Sequence, residues 1–346
     1  MRRMIGAEDT LGVLGTYRLR LRRKRYLIRA ARKSRELSAV KNRTKSIGAR
    51  DVLVFATVRN ERARLPYFLD YYRRLGAGHF LIVDNDSDDE TREYLRRQKD
   101  VSVWHTKASY RRSRYGTDWM NWLKYRYAHG AWTLTVDPDE FFVYPFCDTR
   151  SMRALCDWLD ASSIRTFGTL LLDMYPKGAL DETAYAEGQD PLEIARWFDA
   201  GNYQISRNPT YRNLWIQGGP RSRVFFQHAP DQAPALNKIP LVKWSRQYVH
   251  VSSTHMLLPR GLNQVYDEWG GEKASGCLLH AKFLDTFPEK SAEEVSRREH
   301  YSGGREYRAY EAHLAGGRTL WCQFSEKYIN WRQLEVLGLM SKGNWA

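Results

Sequence analysis

The chain has 346 residues, 42% of them hydrophobic, which suits one large α/β domain or two modest ones. No run approaches the ~20 consecutive apolar residues of a membrane-spanning helix, and no secretion-signal pattern is apparent. The net charge of +15 invites a nucleic-acid reading, but residues 1–50 hold 16 Lys/Arg against 3 Asp/Glu and the rest is nearly neutral, so the basicity belongs to a tail.

Within that tail, residues 17–35 interleave bases with Leu19, Leu21, Tyr26, Leu27 and Ala30 at loosely helical spacing. Such a segment either settles on an anionic membrane surface or stays a solvated basic arm. Residues 41–50 read as a linker. From residue 52 to 58 an unbroken apolar run predicts a strand buried on both faces. A helix over 65–75 follows, with Pro66 in its first turn and Gly76 at its stop. Strands are expected at 79–83 and 101–104, and helices at 91–98, capped by Ser87, and at 119–129. A fourth strand at 131–136 ends in Asp137, Pro138, Asp139 and Glu140. Strands alternating with helices predict a doubly wound, largely parallel sheet whose strand ends share one edge, where such sheets bind ligands. Beyond Pro145 the spacing predicts a helix at 150–161, a strand at 164–174, a loop-rich stretch including 238–243, an apolar run at 276–284 and a polar helical C-terminus.

Three polar clusters thus begin where strands end: Thr57 to Glu61, Asp84 to Asp86, and Asp137 to Glu140. In extended chain Asp137 and Asp139 face the same way, and two carboxylates that close repel unless a cation lies between them. Carboxylate oxygens suit Mg²⁺ or Mn²⁺, ions that commonly carry phosphate ligands. The plainer alternative is a solvated acidic turn. Four scattered cysteines (Cys147, Cys156, Cys277, Cys322) without a Cys-x-x-Cys pair read as reduced thiols and imply a cytoplasmic setting. No Gly-x-Gly-x-x-Gly follows the first strand and no phosphate-loop motif occurs, which argues against a dinucleotide enzyme or a P-loop NTPase.

Segments 56–61 (Ala-Thr-Val-Arg-Asn-Glu), 81–87 (Leu-Ile-Val-Asp-Asn-Asp-Ser) and 136–142 (Val-Asp-Pro-Asp-Glu-Phe-Phe) together resemble the GT-A type glycosyltransferases, in their bacterial family-2-like branch. Segments 219–224 and 278–283 are weaker echoes. The resemblance implies a GT-A (Rossmann-like) fold: a mixed, mostly parallel sheet flanked by helices. Around it, residues 1–50 would be a basic arm, 51–300 the transferase domain (nucleotide half about 51–145, acceptor half about 146–300) and 301–346 a helical extension. It also implies a nucleotide-sugar donor, a UDP-sugar first, a carbohydrate or glycolipid acceptor, and Mn²⁺ or Mg²⁺ on Asp137 and Asp139. The work would be synthesis of a surface polysaccharide or glycolipid, at the inner face of the plasma membrane if the basic arm docks there.

Thr57, Arg59, Asn60, Glu61, Asp84 and Asn85 would frame the nucleotide, and Arg221 and Lys282 would meet the diphosphate, with Arg223 a further candidate. A late histidine reaching the metal makes His280 the preferred third ligand, ahead of His255 and His250, although a histidine in an apolar run is by default a core residue. An inverting transferase needs a carboxylate base. Asp173 is the first candidate, with Asp267 and Glu268 as alternatives. A contrasting reading is a nucleic-acid- or membrane-binding protein that acts through its basic arm, with a non-catalytic body. The near-neutral body disfavours nucleic acid.

Overall fold

The computed structural model describes residues 11–180, 183–266, 273–284, 287, 310 and 319–345. A nine-stranded sheet runs through the centre in the order β1-β4-β3-β2-β5-β11-β7-β14-β6. These strands are β1 (Ser38–Lys41), β2 (Val52–Val58), β3 (Ala77–Asp84), β4 (Val101–His105), β5 (Trp132–Thr135), β6 (Glu140–Val143), β7 (Thr166–Asp173), β11 (Asn237–Lys243) and β14 (Gly276–His280). Three short pairs lie outside it: β8 (Trp197–Asp199) with β15 (Ser325–Lys327), β9 (Tyr203–Asn208) with β10 (Asn213–Gly218), and β12 (Val249–Ser252) with β13 (Met256–Leu258).

The first half follows the expected alternation. Helices α2 (Leu65–Arg74), α3 (Thr91–Arg97) and α4 (Thr117–Tyr127) connect β2, β3, β4 and β5, which pair in parallel. Alternate residues of β2 serve different faces of the sheet. Val52, Val54, Ala56 and Val58 join the core under α2 and α5 (Met152–Ala161), while Leu53 and Phe55 join the core under α4. The mixed, mostly parallel α/β sheet flanked by helices is therefore as the sequence predicts.

β11 departs from expectation, because the stretch that reads as loop is a central strand, antiparallel to both β5 and β7. Pro240 in its middle lacks an N–H and argues against a central strand. The register of β11 against β7 shifts between Lys238 and Leu241, so the ladder is interrupted where the proline sits. Since β11 opposes both neighbours, β7 runs with β5, and β14 runs with β7. The C-terminal ends of β2, β3, β5, β7 and β14 therefore share one edge, and the N-terminal ends of β11 and β6 arrive there too.

The basic segment is joined to the body through a 21-residue helix, α1 (Val13–Lys33), packed on α4 and β12, and through β1, which extends the sheet beside β4. Among the described residues no helix is long and apolar enough to cross a membrane. The described part of the C-terminal region holds β15 and one short helix, Trp331–Val336.

Candidate functional site at the C-terminal edge of the sheet

Parallel pairing of β7 with β14 sets Asp173 opposite His280 at the ends of their strands. His280 Nδ1 lies 2.7 Å from Asp173 Oδ1, and its Nε2 lies 3.4 Å from Asp139 Oδ2 on the turn before β6. Arg221, on a π-helical turn at Arg221–Phe225, donates from Nη2 to the same Asp173 oxygen at 2.6 Å. Arg221 Nη2 and His280 Nδ1 are 2.8 Å apart because both aim at that shared acceptor. With Nδ1–H donated to Asp173, Nε2 is the nitrogen that faces Asp139.

Charge follows geometry here. Burial pushes the Asp173 carboxyl up, but Arg221, with His280 behind it, overrides this and brings it down to about 2. Asp139 is likewise opposed by burial, yet His280, ahead of Arg64 and Lys282, holds it far below the carboxylate range. Burial works against the His280 imidazolium, and Asp139 and Asp173 together raise its affinity for the proton all the same.

Glu140 is fully enclosed. Its Oε1 accepts from Lys238 Nζ at 2.6 Å and its Oε2 from the Asp137 N–H at 3.2 Å, so it pins the turn rather than facing solvent. Burial would strip the proton from Lys238, but Glu140 and then Asp137 keep it an ammonium. Asp137, with 51% of its side chain exposed, sits at the open side with Oδ2 3.7 Å from Lys238 Nζ.

The expected nucleotide-framing residues mostly hold loops. Arg59 Nη1 donates to the carbonyls of Asn85 and Asp86 at 2.8 and 2.6 Å. The N–H of Asn60 donates to Ser87 Oγ and that of Glu61 to Thr91 Oγ1, each at 3.0 Å. Asn85 Nδ2 is spent on the carbonyls of Thr106 and Ala108. Asp84 is fully buried, accepts from the Ser87 N–H at 3.2 Å, and is pushed up by burial against the pull of Ser87. Two loops are thereby laced together through the Arg59 side chain and the Asn60 and Glu61 N–H groups.

Other expectations also shift. Asp173, expected as a base, is 1% exposed and committed to Arg221 and His280, so it has no path to an acceptor hydroxyl. Arg221, expected at a diphosphate, is turned into the protein onto Asp173, and Arg223 is paired with Asp199 at 2.9 Å. Lys282 lies over the rings of Tyr310 and Phe287, at 5.0 and 5.6 Å. His255 Nδ1 meets the Asn237 carbonyl at 2.7 Å, and burial, then Lys238, brings it down to about 3. His250 faces Lys124, away from the Asp139 and His280 pair. Asp267 and Glu268 lie outside the described residues.

Beside Asp137, a small cleft opens between the ends of β2 and β5 and the first turns of α4. Thr57, Thr117, Thr135, Thr254 and His250 line it, and each has a buried polar atom with no hydrogen-bond partner among the described residues. Buried polar groups are nearly always satisfied, so five around one cleft point to a ligand or water that completes them. Gly116, at φ +72°, lets α4 approach this closely, since a Cβ there would come 2.8 Å from Thr57 Oγ1.

Lys124 also lines the cleft. It is fully buried, with Nζ 3.1 Å from His250 Nδ1 and facing the rings of Trp244 and Phe55 at 4.9 and 5.5 Å. No carboxylate pairs with it among the described residues, and burial pushes its affinity for a proton well below that of an ordinary lysine. Sequence reading missed it, although Met120, Leu123, Lys124 and Tyr127 fall on one helical face, which puts a lysine on an apolar stripe. Because its amine is desolvated without a counter-ion, Lys124→Met is expected to keep or raise stability, by about 1 kcal/mol. Urea unfolding checks this; a loss above about 1 kcal/mol would make the amine a required partner of His250.

No protein family matches the chain, and no curated protein does. Among solved structures, one assigned as a glucose-1-phosphate thymidylyltransferase from Bacillus anthracis, in complex with sucrose, aligns over 77% of this chain and 83% of its own length. With 8% identity and a TM-score of 0.26, that likeness carries no argument about this chain.

Proposed function

We propose that the protein is a metal-dependent glycosyltransferase that moves a sugar from a nucleotide sugar, a UDP-sugar first among candidates, to a hydroxyl of a carbohydrate or glycolipid. The observation that carries this reading is the meeting of Asp139 and His280, 141 positions apart in the chain, at 3.4 Å on the edge where sheets of this kind generally bind ligands, with Asp137 on the same turn.

Carboxylate oxygens and an imidazole nitrogen suit Mn²⁺, and the Asp173 contact orients His280 as outer partners of metal-bound histidines do. Among the described residues no group of three or more His, Cys, Asp and Glu side chains is gathered closely enough to hold a metal ion by itself. A divalent ion that arrives with a diphosphate needs only one or two protein carboxylates, so the donor set fits that use. Asp137, Asp139 and His280 would hold the ion, which supplies Lewis acidity to the departing diphosphate. Lys238 keeps a positive charge beside the same turn, Glu140 fixes the turn's shape, and the cleft behind Asp137 takes the uncharged, hydrogen-bonding part of the donor. The base is assigned to none of the described carboxylates.

Thermal unfolding with UDP-, GDP- and CMP-sugars, each with and without Mn²⁺, tests the reading. One nucleotide class is expected to stabilise the protein only with metal, by about 2.7 kcal/mol at a hundredfold excess over Kd. If no sugar nucleotide raises the midpoint in the presence of Mn²⁺, the proposal fails.

A further inference from the structure

The outward face of α1 is apolar where a merely solvated helix would be polar. Leu14 is 75% exposed, Tyr17 56%, Leu21 47% and Ile28 54%. Their spacing of three, four and seven residues puts them on one side of the helix. The opposite side is already used. Leu19 is buried with Tyr211, Val249, Met256 and Leu258, and Tyr26 and Leu27 pack beside them. The exposed stripe is therefore not the helix's core face turned by error; it is a second apolar face.

Basic residues border that stripe. Arg18, Lys24, Arg25 and Arg32 are all exposed and flank it, and α1 contains no acidic residue. Other bases of the helix are turned to the body: Arg29 pairs with Asp118 at 2.6 Å, Arg22 donates to the Tyr211 hydroxyl at 2.6 Å, and Lys33 pairs with Glu36. The helix is thus sorted into bases that anchor it and bases that surround an outward apolar stripe. An apolar stripe rimmed by cations complements the interface of an anionic bilayer, whose headgroups attract the bases while the stripe enters the acyl boundary. A nucleic acid would engage the bases and give the stripe no role.

We infer that the outward face of α1 is a docking surface for an anionic lipid bilayer, with Leu14, Tyr17, Leu21 and Ile28 entering the interface and Arg18, Lys24, Arg25 and Arg32 on the headgroups. The inference is independent of the sugar-transfer reading. Its consequence for the body comes through α4. Asp118, which Arg29 grips, also accepts from Arg114, and its neighbours Thr117 and Met120 line the cleft beside Asp137. A membrane bound by α1 is held at a fixed position relative to that cleft.

The test is co-sedimentation of the full chain with phosphatidylcholine vesicles, with and without phosphatidylglycerol, in low and high salt. Binding to the anionic vesicles is expected to exceed binding to the neutral ones by at least about tenfold and to weaken with salt. The paired substitution Leu21→Ser with Ile28→Ser should lower anionic-vesicle binding about tenfold and leave binding to single-stranded RNA unchanged. Replacing Arg18, Lys24, Arg25 and Arg32 by Gln should abolish the preference for anionic lipid. All six positions are exposed, and unchanged urea midpoints exclude misfolding as the cause. No preference for anionic vesicles in the wild type overturns the inference. So does full vesicle binding by the Leu21/Ile28 variant, which would reduce the surface to a general polyanion site.

Discussion

Asp173→Ala is expected to cost about 3–5 kcal/mol of stability, the range for breaking a buried ion pair by removing one member. The Asp173 carboxylate has no exposed surface in its ion pair with Arg221, whose own side chain is 5% exposed. It also accepts the Nδ1–H of His280. Removing it takes from the buried Arg221 guanidinium, which cannot lose its proton, its ion pair with that carboxylate. Asp173→Asn keeps an oxygen in place but loses the charge, so it should recover part of the loss. Urea unfolding monitored by fluorescence measures both, and an unchanged m-value confirms that stability alone has moved. A base in contact with substrate would give the opposite pattern: an alanine variant that folds as well as the wild type and fails only in turnover. A cost below about 1 kcal/mol would return Asp173 to the list of candidate bases.

That contrast explains what could and could not be read in the sequence. The strands 52–58, 79–83 and 101–104 are legible because continuous apolar runs between capped helices leave few other structures. The edge on which their ends gather follows from the handedness of the crossovers. Partnership across the sheet is not legible. An aspartate that closes a strand looks the same whether it faces a ligand or a neighbour's arginine, and Arg221 lies 48 positions from Asp173. β11 stays hidden because Pro240 signals an edge or a loop, and only the register shift beside it reconciles a proline with a central position. Arg59, Asn60, Glu61 and Asn85 fall in polar clusters at strand ends, yet the Arg59 side chain and the Asn60 and Glu61 N–H groups bond across two loops, to partners 26 to 30 positions away. The docking of α1 rests on Arg29 and Asp118, 89 positions apart, so its periodicity shows a helix while its attachment does not show.

The two aspartates of the acidic turn are expected to differ in their effect. Asp139 is 18% exposed and directed at His280, whereas Asp137 is half exposed and shares its environment with the Lys238 ammonium. A cation held by Asp139 and His280 would take the place of the Nε2 proton, which would be released to solvent, while at Asp137 it would meet the repulsion of Lys238. Asp139→Asn is therefore expected to weaken Mn²⁺-dependent binding of the sugar nucleotide by about 100-fold or more, and Asp137→Asn by about 10-fold. Neither change should unfold the protein. His280 keeps its Asp173 contact when Asp139 is neutralised, and Asp137 contributes to the turn through its backbone, whose N–H is held by Glu140. Titration of each variant with nucleotide sugar at fixed Mn²⁺, beside its urea midpoint, separates binding from folding. If both bind with wild-type affinity, the turn holds no metal. If Asp137→Asn alone abolishes binding, the ion sits on the open side of the turn and His280 is a structural histidine locked between two carboxylates.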